Sequence, residues 1–174
     1  MTSLQAFLAA GLADLHRNLV QAVEGLTPEQ LHFKPAPTVN HIAFILWHYV
    51  RTEDNLVRFV FRRLPTIWME GGWDKRFGLD SKAQGTGWTP QQAEQVRFPS
   101  VGAFLEYARL VFRETEEFVA GVSDADLERT YLVRPLGERP LRFFLGNTLL
   151  THGYGHLGEI WLLKGIQGLP GSPI

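Results

Sequence analysis

The chain has 174 residues, 45% of them hydrophobic and 20% charged, with a net charge of -1 and no cysteine. That size and composition fit one soluble globular domain with a real core, and the charge balance offers no basic surface to nucleic acid or an anionic membrane. The missing cysteines exclude disulfides and thiolate metal ligands, and they tilt the expected compartment to the cytoplasm.

The chain opens on an apolar helical stripe over residues 2–24, with Leu4, Phe7, Leu8, Leu12, Leu15, Leu19 and Val23 at spacings of three and four. No basic segment precedes it, and its period runs on through Asp14, His16 and Arg17, so it reads as a helix and not as a signal peptide. Thr27-Pro28-Glu29-Gln30 is a capping box with proline at the first helical position. Lys34-Pro35-Ala36-Pro37 then breaks the helix. A second long helix is expected from about Asn40 to Arg63, its apolar face including Ile42, Ile45, Leu46, Tyr49, Leu56, Phe59 and Val60.

From Leu64 to Pro99 runs a connection far longer than a helix hairpin needs, rich in tryptophan and glycine, with one helical turn expected at Thr89-Pro90-Gln91-Gln92. Two readings stand for it: a strap held down by tryptophans, or a lid or wall over an active site. Ser100 starts a third helix over Val101–Ala120, and Ser123-Asp124-Ala125-Asp126 resembles another capping box. Pro135, Gly137 and Pro140 imply an irregular stretch before a fourth helix from roughly Arg142 to Lys164, ended by Gly165 and the glycine- and proline-rich terminus. The expected architecture is an all-α four-helix bundle, one domain over residues 1–174, ordered up-down-down-up around the long crossover.

His152 and His156 stand four apart on the fourth helix, on the line Leu149, His152, His156, Ile160, Leu163, so both imidazoles point inward. His48 lies on the core-facing stripe of the second helix. A buried imidazole left without partners costs about 1–3 kcal/mol, and a shared metal ion would satisfy all three. The plain alternative is three core or surface histidines. Gly153 stands where zincin proteases carry glutamate, which excludes that mechanism. Three neutral imidazoles around one divalent ion (zinc, nickel or iron) leave an open position, as catalytic sites do.

His41 lies seven residues before His48, about 10 Å along the axis at about 1.5 Å per residue, too far to share its metal. His16 and His32 read as surface or link residues. Glu159 is a fourth ligand, a solvated side chain or, as favoured, an acceptor behind His156. Gly153, Gly155 and Gly158 each weaken the helix by about 0.8–1.0 kcal/mol relative to alanine, so they serve either close packing or room for a ligand.

The segment Asn40-His-Ile-Ala-Phe-Ile-Leu-Trp-His48 followed by Glu53-Asp54, together with His152-Gly-Tyr-Gly-His156-Leu-Gly-Glu159-Ile160, resembles the DinB-like superfamily of metal-dependent bundle enzymes. The resemblance covers nearly the whole chain, through the helix order and long crossover. It implies a metal held by His48, His152 and His156. It departs at His41, where relatives often have serine, and at Glu159, where they often have glutamine. It also implies a small-molecule substrate, with a low-molecular-weight thiol such as bacillithiol or mycothiol among the candidates. The expected activity is a thiol-dependent S-transferase or isomerase; the alternatives are a metal-dependent hydrolase and a non-catalytic metal-stabilised binding or stress-response module. With no cysteine in the chain, any sulfur nucleophile must be a cosubstrate. Relatives and the plentiful aromatic residues together point to a homodimer. No nucleic-acid or membrane partner is expected.

Overall fold

The computed structural model describes residues 3–173. Ser3 caps α1 (Leu4–Val23) by accepting from the Ala6 amide, and Thr27 closes the expected capping box on α2 (Pro28–Leu31). His41, extended at the next helix start, caps α3 (Ile42–Asp54) by accepting the Phe44 N–H on Nδ1. The helix continues as a π-helix over Asn55–Phe61. The crossover carries three short helices, α4 (Ile67–Glu70), α5 (Trp73–Phe77) and α6 (Pro90–Ala93). Ser100 caps α7 (Val101–Ala120). The last helix begins as α8 (Leu141–Phe143), passes through a π-helical stretch over Phe144–Thr151, and becomes α9 (His152–Ile166). It runs past Gly165.

Side-chain contacts fix how the long helices lie. Gln5 donates to the Val119 carbonyl and Arg109 to Glu24, so α1 and α7 are antiparallel. Tyr107 reaches Asp54 and Arg62 reaches Glu114, so α3 and α7 are parallel. His48 lies beside His152 while Phe61 lies beside Phe144, so α3 and α9 are antiparallel. The core between them divides in two. One part gathers Leu15, Leu19, Trp47, Phe104 and Ile160; the other gathers Leu12, Leu56, Phe61, Phe144 and Leu145. No helix among the described residues is long and apolar enough to cross a membrane.

Three expectations are corrected. The stretch around Pro135 and Gly137 is not irregular: β1 (Thr130–Val133) and β2 (Gly137–Pro140) form an antiparallel hairpin, with Tyr131 opposite Arg139. Tyr131 packs edge-on against Phe61 at 4.8 Å, which gives the hairpin its foothold on the bundle. Phe59 does not face the core but is 57% exposed. The wider turn of the π-helix rotates every residue after Asp54, so Val57 and Phe61 join Leu56 inside in its place.

His16 is the third correction. It is neither a surface nor a link residue but 97% buried, stacked on Phe112 with centroids 4.2 Å apart. Its Nε2 lies 3.1 Å from buried Glu53 and its Nδ1 2.8 Å from Glu116. Burial alone would keep the imidazole neutral, but the two carboxylates outweigh it and raise the pKa to about 9. A histidine whose folded pKa lies above its unfolded value stabilises fully below about pH 6.5, and that stabilisation is lost as pH rises through about 9. The free energy of unfolding should therefore fall by about 3 kcal/mol across that interval. His16→Gln should flatten the fall in denaturant titrations, and a wild-type curve already flat there would refute the assignment.

The crossover is tied to the bundle by one buried ion pair. Asp54 accepts the Ile67 and Trp68 amides at the start of α4 and the Tyr107 hydroxyl. Burial raises its carboxyl above the usual carboxylate range, and these donors with Arg51 offset only part of that rise. Arg51 reaches Asp54 at 3.2 Å and donates onward to the Ala83 and Ser81 carbonyls. The pair thus holds both the beginning and the middle of the connection.

Candidate metal centre

The antiparallel packing of α3 and α9 sets His48 against His152 and His156. Ring centroids of His48 lie 5.5 Å from His152 and 5.4 Å from His156, and those of His152 and His156 are 4.3 Å apart. One ring nitrogen of each lies within 4.8 Å of one from each of the others. His41 is not in this group: it is the α3 cap, and burial with nearby cations lowers its pKa to about 4. His32 is a link residue, its Nδ1 donating to the Pro28 carbonyl and its Nε2 accepting the Phe98 amide.

Each of the three imidazoles has its Nδ1 spoken for. His48 donates to the Gln84 carbonyl at 2.5 Å, His152 to the Thr148 carbonyl at 3.2 Å, and His156 to Glu159 at 2.8 Å. That arrangement fixes the tautomer and leaves Nε2 as the free lone pair, the pattern that carboxylates and carbonyls impose on metal-bound histidines. His156 Nε2 is buried with no hydrogen-bond partner among the described residues. Burial lowers the pKa of His48, and burial with the two neighbouring imidazoles takes that of His152 to about 4, so both are neutral bases at pH 7. The hydrogen bond from His156 lowers the Glu159 carboxyl. Three ring nitrogens, with an anionic brace behind His156, could hold a divalent ion.

A cavity of about 590 Å³ opens on all three histidines. One wall is the crossover loop Gln84–Trp88, and the other is the hairpin turn from Val133 to Leu136. The connection is therefore both things the sequence allowed: Trp68 and Trp73 bury it, and its middle walls the site. Gly85 makes the close approach. At φ +81° it brings the loop so near α3 that a Cβ would meet Phe44 at 2.8 Å and Trp47 at 3.0 Å. The sequence showed the glycines of this loop, but an imidazole-orienting carbonyl such as that of Gln84 carries no side-chain signal.

The α9 glycines divide between the two readings. A Cβ on Gly153 would run into Leu15 and lie 2.7 Å from Tyr49, whereas Gly155 and Gly158 face open space. Gly153→Ala should cost about 1–2 kcal/mol, overpacking outweighing the gain in helix propensity. Gly158→Ala should gain up to about 1 kcal/mol. Equal effects in urea unfolding would contradict this division.

A family model described as the DinB superfamily matches residues 12–160. Among solved structures the chain is similar to a conserved protein from Enterococcus faecalis, with a TM-score of 0.81 at 17% identity over 97% of this chain and 99% of that one. At that identity the likeness concerns the fold. No curated protein matches the chain.

Proposed function

The chain belongs to the DinB superfamily, and from that footing we propose that His48, His152 and His156 hold one divalent metal ion and that the protein is a metal-dependent enzyme acting on a small molecule. The observation that carries this is the shared hydrogen-bonding pattern: three Nδ1 atoms turned to acceptors and three Nε2 atoms left beside a cavity. When bound, a divalent ion supplies Lewis-acid polarisation and acidifies a water or thiol that meets it. The protein's own groups do the rest. Gln84 and Thr148 carbonyls and Glu159 keep the imidazoles in one tautomer, and the loop and hairpin shelter the reacting groups from bulk water.

The cavity argues for catalysis over a closed structural site, because a substrate has room beside the histidines. Between the chemistries we favour a small-thiol-dependent transferase or isomerase, as the family resemblance suggests, over hydrolysis. The test is a screen of metal-loaded protein with small thiols and electrophilic acceptors. Turnover that needs metal and thiol together supports the transferase. Metal-dependent turnover without thiol identifies a hydrolase, and no turnover with any metal leaves only the binding module.

A further inference from the structure

The cavity is charged at one end only. Apart from its histidines, Arg134 is the only ionisable side chain among the described residues that line it, and no carboxylate lines it at all. Glu159, the acid nearest the histidines, stands behind His156 and outside the lining. None of the ion pairs between described residues uses Arg134.

The cavity also has a length. It follows α3 and its π-helical extension from His48 past Thr52 to Leu56, a span of about 12 Å at about 1.5 Å per residue. The crossover loop closes over the His48 end through the Gln84 carbonyl. The hairpin rests on the other end, where Tyr131 meets Phe61, and its turn carries Arg134. Between the two, the walls are mostly apolar, with Leu56, Trp88 and Phe143, and they carry the uncharged polar groups of Thr52, Asn55 and Asn147.

We propose that the cavity selects an organic monoanion with an extended apolar body, its carboxylate held by Arg134 and its reactive group reaching the histidines. The histidine end of this proposal rests on the metal reading above; the Arg134 end does not. A cationic ligand finds no counter-charge in the lining, whereas a carboxylate gains a guanidinium partner. Arg134 is thus a specificity-determining residue for the acid end of the substrate.

Octanoate and octanamide, matched in length and differing in charge, test the Arg134 end on metal-free protein by calorimetry at low ionic strength. Octanoate should bind about fivefold more tightly, as befits a partly solvated ion pair, and added salt should shrink the difference. Arg134→Gln should erase the preference. Equal binding of the two ligands, or a preference that survives Arg134→Gln, overturns the proposal. The histidine end is read separately, with 8-mercaptooctanoate on zinc-loaded protein. A gain over octanoate that His48→Ala removes supports the full proposal; no gain, with the Arg134 preference intact, overturns the metal reading and leaves the anion site standing.

Discussion

Alanine at His48, His152 or His156 should abolish stoichiometric metal in the purified protein, because each change removes one of three nitrogens within 4.8 Å of one another. In wild type, metal at a hundredfold excess over its dissociation constant should add about 2.7 kcal/mol of stability. For a chain of this length that is a rise in Tm of about 5–10 °C. None of the three variants should show the rise. His41→Ala should keep both metal and shift while losing about 1 kcal/mol of stability from the α3 cap. Glu159→Gln should fall between, since loss of the acceptor behind a ligand weakens affinity by about 10–100-fold. Metal analysis and thermal melts with and without added metal decide it. A triad variant that retains both would exclude that residue as a ligand.

Asp54→Ala is expected to be the most damaging single change outside the triad, at about 3 kcal/mol or more in urea unfolding. It leaves Arg51 buried without its carboxylate and orphans the Ile67 and Trp68 amides and the Tyr107 hydroxyl. The exposed pair of Arg109 and Glu24 is the control, and Arg109→Ala should change stability by less than about 1 kcal/mol. The damage should also reach the site. Arg51 steadies Ser81 and Ala83, and the next residue in the chain is Gln84, whose carbonyl orients His48. Metal affinity should therefore drop in Asp54→Ala although no ligand is touched. An Asp54→Ala protein as stable as Arg109→Ala would refute the pinning role.

Local rules carried much of this into the sequence. Thr27, Thr89 and Ser100 cap where their side chains were expected to. The four-residue spacing of His152 and His156 places them side by side on one helix face, and the apolar phase of α3 before Asp54 turns His48 toward them. What the sequence concealed is non-local. Nothing in the apolar pattern marks a π-helix at Asn55, so Phe59 kept a phase that the backbone changes. His16 is buried because Glu53 and Glu116, from two other helices, meet its two nitrogens. The β-branched and aromatic run Thr130–Val133 was a strand signal, and the prolines beside it masked it.

If the three Nε2 atoms form one metal site, they should hold a single ion per chain. Titration of metal-free protein with cobalt(II), followed by its visible absorption, tests this most directly. The signal should saturate at one ion per chain, with a spectrum that His48→Ala eliminates. Failure to saturate, or an unchanged spectrum in His48→Ala, would contradict it.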